Sequence, residues 1–205
     1  RCIDAGERRS RPALTLNANV DVLLAQPRGF CAGVARAIDI AERTLAMHGA
    51  PVYIFHEIVH NGHVVGDLAS RGAIFVEDID AIAEGAVTVF SAHGVATAVV
   101  AAARARRLRV IDATCPLVTK VHLEALRYAK DGYTIVMVGH REHVEVIGTV
   151  GEAPEAIVVC ESVAEVEALQ LPDPEKVAYI TQTTLSLNDC AAIVGALRKR
   201  YPKVK

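Results

Sequence analysis

Tryptophan is absent from this 205-residue sequence, and other rings are few: four Phe and five Tyr. A core without rings must be filled by Val, Ile, Leu and Ala. That suits parallel sheet buried between Ala-rich helices. The same shortage argues against a single-stranded nucleic-acid groove, which relies on stacked aromatics. An excess of one charge is also missing. The formal net charge of -2 gives no drive toward a polyanion, so any anion site must be local. No apolar run reaches transmembrane length, and no signal-peptide pattern is present. The five cysteines (Cys2, Cys31, Cys115, Cys160, Cys190) are odd in number and scattered, with no CxxC pair. That excludes the disulfide framework of a small secreted domain and argues against a zinc ribbon. The expectation is a cytoplasmic protein that touches neither membrane nor nucleic acid.

Apolar residues make up 52% of the chain and charged residues 22%, so a real core is possible. Residues 1–19 show no apolar period and cluster Arg8, Arg9 and Arg11 before Pro12. They read as a flexible extension or a fragment edge. From Asp21 short apolar runs alternate with amphipathic stretches. Strands are expected at 21–26, 51–55, 73–76, 86–90, 109–111, 133–138, 156–160 and 177–181. Helices are expected at 32–48, 62–71, 95–107, 116–131, 143–150, 163–168 and 186–200. Such alternation indicates βαβ units and parallel sheets. In helix 116–131, Pro116 suits the first position and Gly132 the exit. Leu117, Val121, Leu123, Leu126 and Ala129 are expected to face inward. The pattern starts afresh near 112–116. The fold class is therefore α/β, with two consecutive lobes of mostly parallel sheet, 20–114 and 115–205. The closing Lys-Arg-Tyr-Pro-Lys-Val reads as a helix exit leading into a new strand.

The unusual polar residues recur just after strands. Cys31 follows the first expected strand and opens a helix between Gly29 and Gly33. His56 through Asn61 follow the second. Ser91-Ala-His93-Gly94, Asp112-Ala-Thr114-Cys115-Pro116, His140 to Glu145, and Thr181 to Ser186 follow later ones. In open α/β sheets the carboxyl ends of strands line the ligand crevice. A cysteine at a strand-to-helix turn lies beside free backbone N–H groups, which favours the thiolate. The alternative for Cys31 is a small buried hydrophobe at a tight turn. Gly29 and Gly33 would let backbone approach a ligand. His60 and His93 suit anion contacts, whereas His56 and His63 read as structural or exposed. His140, His143 and Glu145 could form a metal cluster, but three ligands without an HExxH pattern are too few for a zinc assignment. Glu145 reads better as a proton donor beside an anion-binding imidazole. Ser186 is explained by capping, and Cys160 and Cys190 by packing. Cys31 and Cys115, brought together by two facing lobes, would suit an iron–sulfur cluster better than a dithiol.

Taken in order, these segments resemble one family. Pro27-Arg-Gly-Phe-Cys31-Ala-Gly, His56-Glu-Ile-Val-His60-Asn61, Phe90-Ser-Ala-His93-Gly94, Asp112-Ala-Thr-Cys115-Pro-Leu-Val-Thr-Lys-Val-His122, Gly139-His140 through Glu145, and Thr181-Gln-Thr-Thr-Leu-Ser186 follow the pattern of the 4-hydroxy-3-methylbut-2-enyl diphosphate reductases. The resemblance covers about 21–204. It implies a three-lobed α/β trefoil around a [4Fe-4S] cluster held by three cysteines, of which Cys31 and Cys115 match two. It implies that His60, His93 and His143 bind the substrate diphosphate, and that Glu145 delivers protons with Thr183 as its partner. The implied reaction is the last step of the methylerythritol phosphate route to isoprenoids. It is the reductive dehydroxylation of an allylic diphosphate to isopentenyl and dimethylallyl diphosphates, fed by a donor such as ferredoxin or flavodoxin.

Two departures stand out. Val144 lies between His143 and Glu145, where many family members have Pro, so the turn carrying Glu145 is expected to be looser. The third cluster cysteine and the third lobe are expected beyond Lys205, and this chain alone is expected to be inactive. The competing readings are a non-redox diphosphate-binding or scaffolding protein, and a zinc or dithiol enzyme using Cys31, Cys115 and His143. The last is disfavoured by ligand spacing.

Overall fold

A computed structural model describes residues 23–26 and 28–205. It contains two parallel sheets, each covered by helices on both faces. The first sheet has strands β1 (Val52–Phe55), β2 (Ala73–Val76), β3 (Val87–Phe90) and β4 (Arg109–Asp112), in the spatial order β2-β1-β3-β4. The second has β5 (Thr134–Val138), β6 (Ile157–Cys160) and β7 (Val177–Thr181), in the order β6-β5-β7. Every strand pairing is parallel. The helices are α1 (Ala32–His48), α2 (Gly62–Ser70), α3 (Thr97–Ala105), α4 (Pro116–Lys130), α5 (Val144–Val150), α6 (Val163–Ala168) and α7 (Leu187–Arg200), with a 3₁₀ turn at Ile79–Ala81.

Period-two alternation explains the layers. On β1, Val52 and Ile54 pack with Ala37, Ala41 and Leu45 of α1 and Leu68 of α2. Phe55 and Tyr53 point the other way, toward Phe90, Ala103 and Leu108 beneath α3. On β5, Ile135 and Met137 meet Ala125 of α4, while Val136 and Val138 meet Val166, Ile193 and Leu197 of α6 and α7. Strands buried on both faces read as continuous apolar runs, as these do. Cys160 is buried in the α6–α7 core with Cys190 packed against it, so both serve packing.

Three expectations need correction. No strand forms at 23–26; Leu23 and Leu24 are 94% and 67% exposed there, and residues 21 and 22 lie outside the described chain, as does the 1–19 extension. An apolar run specifies a strand only where a sheet edge receives it. On α4 the buried residues are Val118 and Ala125, with Val121, Tyr128 and Ala129 partly buried. Leu117, Leu123 and Leu126 face outward. The expected stripe stepped from 121 to 123, and residues two apart do not share a helix face. Helix α3 starts at Thr97, two residues later than expected, because Gly94 takes a left-handed φ of 77°. It also ends two residues early, at Ala105, and the ends of the other helices fall within a residue of expectation. Gly132 closes α4 with φ 76°, and Ser186 caps α7 by accepting from the Asp189 N–H.

At the chain's last residue, the Lys205 N–H donates to the Val177 carbonyl and the Tyr179 N–H donates to the Lys205 carbonyl. Lys205 therefore makes parallel-ladder bonds to the outer edge of β7, where a new strand was expected. The two sheets meet through glycines. A methyl group at Gly151 would lie 2.2 Å from the Ala96 Cβ, and one at Gly148 would lie 3.2 Å from the Gly94 carbonyl oxygen. Beside this seam, the Glu152 carboxylate accepts from the Thr97 hydroxyl at 2.9 Å and pairs with His122 at 3.2 Å.

Candidate functional site

Strand order reverses once in each sheet. From β1 the chain crosses to β2 on one side and then to β3 on the other; from β5 it crosses to β6 and then to β7. Such reversals open a crevice at the carboxyl ends of the strands. The ends of β1 and β3 carry His60 and His93. The ends of β5 and β7 carry His143, Glu145 and Thr183.

The turns of the first sheet are locked by backbone. The Ala92 N–H donates to the Ile58 carbonyl at 3.2 Å, and the Cys115 N–H donates to the Ala92 carbonyl at 2.9 Å. These bonds continue the β1-β3-β4 order past the strand ends, so the turns carrying His60, His93 and Cys115 share one register. The second sheet uses side chains. Buried Gln182 accepts from the His140 N–H at 3.0 Å and donates to the Thr184 hydroxyl at 2.8 Å. Glu145, only 1% exposed, accepts from the Thr183 N–H at 2.5 Å and from its hydroxyl at 3.0 Å. The turn before α5 is not loose despite Val144. His143 caps α5, its Nδ1 accepting from the Glu145 N–H at 3.1 Å, and its own N–H bonds the His140 carbonyl at 2.9 Å.

Three imidazoles meet where the sheets face each other. The His60 and His93 rings stack with centroids 4.3 Å apart, and His143 stands edge-on to both, at 5.0 and 5.6 Å. One tautomer set satisfies the contacts. His143 Nδ1 is an acceptor, so its proton is on Nε2 and is donated to His60 Nε2 at 3.2 Å. His60 then carries its proton on Nδ1, 3.2 Å from Glu57 Oε2. Burial depresses the His93 pKa to about 4, helped by His60, His143 and His56. Burial also lowers that of His143, with His60 and His140 adding to it. Burial pushes the Glu145 carboxyl up, against the opposing hydrogen bonds from Thr183. The pocket thus holds His93 and His143, whose protonation burial disfavours, beside a carboxyl that gives up its proton reluctantly.

Cys31, Cys115, His60, His93, Glu145 and Thr183 all line one cavity of about 370 Å³. His143 joins them through His60. The remaining walls are Phe30, Val34, Val59, Asn61, Ala92, Leu117, Val118 and Thr184. Cys31 caps α1 and Cys115 caps α4, so each thiol opens a helix. Among the described residues no group of three or more His, Cys, Asp or Glu is disposed to hold a metal ion. That removes the His140–His143–Glu145 metal cluster and the Cys31–Cys115–His143 zinc site. His140 sits instead 3.9 Å from Glu161. His56 bonds Glu77 at 2.5 Å with a left-handed φ of 61°, and His63 lines the groove between α1 and α2. Of the two glycines expected near a ligand, Gly29 has φ 117° and meets nothing, whereas Gly33 faces the two thiols. Sequence reasoning assigned no role to Gln182. Its signal was a polar residue ending an apolar strand, with no hint of which backbone it would bond.

Fold and site together define a class: a doubly wound α/β protein whose two sheets converge on a pocket of thiols, imidazoles and a buried carboxyl. Comparison with known proteins narrows this. The model of the LytB protein family matches residues 22–205, and the chain belongs to that family. It is 58% identical over 187 residues to the 4-hydroxy-3-methylbut-2-enyl diphosphate reductase of Bordetella pertussis, covering 91% of this chain and 58% of that protein. Against 4-hydroxy-3-methylbut-2-enyl diphosphate reductase 2 of Burkholderia mallei the identity is 55% over 188 residues, covering 92% and 58%. The structure of the E-1-hydroxy-2-methyl-but-2-enyl-4-diphosphate reductase from Plasmodium falciparum superposes with a TM-score of 0.85 at 44% identity, covering 88% of this chain and 57% of that one. The chain thus spans under three fifths of these relatives. Among the described residues no helix is long and apolar enough to cross a membrane.

Proposed function

We propose that this chain forms the diphosphate-binding and proton-delivering part of a 4-hydroxy-3-methylbut-2-enyl diphosphate reductase, built as two lobes, 20–114 and 115–205. The observation that supports this is the meeting of Cys31, Cys115, His60, His93, Glu145 and Thr183 in one pocket from six separate turns. The reaction takes an allylic alcohol diphosphate, two electrons and two protons to an alkene diphosphate and water. One proton leaves with the hydroxyl oxygen and the other ends on carbon.

Each residue has a task in this reading. His60, His93 and His143 hold the diphosphate. Because burial disfavours the charged form of His93 and His143, an arriving anion can draw protons onto them, turning weak donors into charged ones. Glu145 holds a proton that burial makes hard to lose, and passes it toward the leaving hydroxyl with the Thr183 hydroxyl as its partner. Buried Val59 and Val118 keep water from their side of the pocket. The cofactor reading is tested by the donor set. Two thiols open facing helices, and a glycine leaves the space between them clear. Cys31 and Cys115 therefore fit two ligands of a [4Fe-4S] cluster, which when bound supplies electrons and an electrophilic iron. The third cysteine that the resemblance implies is not among the described residues, since Cys160 and Cys190 pack in the second core. The electron donor would be of the ferredoxin or flavodoxin kind.

In the full-length protein, Glu145→Gln should cut turnover by about 100-fold or more, the usual range for a general acid, while diphosphate affinity changes little. Equal losses in both would mean that Glu145 only supports the turn. A second reading, a non-redox diphosphate binder, is favoured by the three imidazoles gathered with ring centroids 4.3 to 5.6 Å apart. Anaerobic reconstitution with iron and sulfide separates the two. A stable cluster with turnover supports the reductase, and diphosphate binding without either supports the binder.

A further inference from the structure

Helix α1 presents two residues, nearly one turn apart, to the loop that carries Cys115. A methyl group on Gly33 would stand 2.6 Å from Cys115 Sγ, 3.5 Å from Cys115 Cβ and 3.9 Å from Cys31 Sγ. Real carbon–sulfur contacts do not come so close, so Cys115 occupies the space a side chain would take. Three residues on, the Arg36 guanidinium donates to the Thr114 carbonyl at 3.0 Å, the group just before Cys115. Residues three apart share a helix face, so both contacts come from the same side of α1. Cys31 is the N-cap of that helix. From the opposite side, the Cys115 N–H is tied to the Ala92 carbonyl.

We propose that Gly33 and Arg36 are positioning residues that seat the Cys115 turn on α1 and so set how closely the two thiols approach. The glycine is required for space and not for backbone freedom, since its φ is not left-handed. The arginine clamps the carbonyl that fixes where the turn begins. Since Cys31 starts α1, a shift of this face against the 112–116 turn moves one thiol relative to the other. This inference rests on reading Cys31 and Cys115 as a ligand pair.

The test uses this chain under anaerobic conditions with Cd²⁺ alone as probe, reading thiolate-to-cadmium absorption, with Cys31→Ser as the reference for the pair. Wild type should show a Cd²⁺ site that Cys31→Ser abolishes. Gly33→Ala should weaken that site by about tenfold or more, equivalent to about 1.4 kcal/mol. Its thermal midpoint should hold or rise, because alanine suits a helix better than glycine. Gly195→Ala in α7, where a methyl group meets nothing, should bind Cd²⁺ like wild type. Arg36→Met should weaken the site and Arg36→Lys should restore most of it. Wild-type Cd²⁺ affinity in both Gly33→Ala and Arg36→Met would overturn the seat alone. The absence of any Cys31-dependent site in wild type would overturn the ligand-pair reading and the seat with it.

Discussion

Each sheet starts from an inner strand, β1 or β5, and then adds neighbours on opposite sides. The same device therefore makes a crevice twice, yet the two crevices are furnished and fastened differently. The first offers thiols and two imidazoles; backbone bonds through Ala92 hold the turns of His60, His93 and Cys115, with the Arg36 side chain added on the Cys115 turn. The second offers a carboxyl, hydroxyls and one imidazole, on turns held by the side chains of Gln182, Glu145 and Thr183. A backbone ladder tolerates most substitutions because every residue supplies the same N–H and C=O. A side-chain tie is lost with a single residue. The His60 and His93 turns of the first half should thus be hard to disturb by mutation and the turns of the second easy.

Acid is the strongest way to test the contrast. In the first half His93 titrates near 4 when folded, against 6.5 unfolded. Between those values the unfolded chain binds the extra proton, so stability falls as pH drops from about 6.5 toward 4, by up to about 3 kcal/mol. Glu145 has the opposite sign. Its raised folded pKa means that the folded state holds the extra proton above pH 4.5, which adds stability at low pH that is lost as pH rises through the folded value. Denaturant titrations across this range should show the acid loss, and His93→Asn should flatten it. A wild-type profile without that loss would contradict the buried neutral imidazole.

Mutation of the two fastenings should give the next largest effect. Gln182→Leu removes two hydrogen bonds, from the His140 N–H and to the Thr184 hydroxyl, which should cost about 1–3 kcal/mol together and loosen the turn before α5. Ser91→Ala removes the one side-chain hydrogen bond to His93 among the described residues, a 3.3 Å contact. It should cost about 1 kcal/mol or less, with the 91–95 turn still protected in hydrogen exchange. Equal losses would show that the distinction between backbone and side-chain fastening does not matter here.

The smallest expected signal joins the halves. Inorganic pyrophosphate binding should take up roughly one proton at neutral pH, as His93 and His143 recharge. Calorimetry in buffers of different ionisation enthalpy measures this. Binding without proton uptake would mean that the imidazoles stay neutral and act only as hydrogen-bond donors.

Much of this was legible in the sequence. Alternating apolar runs and amphipathic stretches located seven of the eight expected strands and all seven helices, because buried parallel strands and helix caps leave local signatures. The polar residues at strand ends located His60, His93, Cys115, Glu145 and Thr183 in one pocket, and Cys31 joins them from a helix start that no strand at 23–26 precedes. Local signals failed where a distant partner decides. Val22 to Gln26 has strand composition, but 23–26 forms no ladder. Leu123 and Leu126 are helical and apolar, but the β5–β7 sheet lies on the side of Ala125.

The sequence by itself determined the elements, the class of fold and which residue types end the strands, since periodicity and turn chemistry are local. Only the tertiary structure decided that strand order reverses at β1 and β5, that His143 faces His60 and His93 across the sheets, and that Gly33 faces Cys115. Those contacts join residues tens of positions apart. They depend on how two sheets pack, which no short window of sequence encodes.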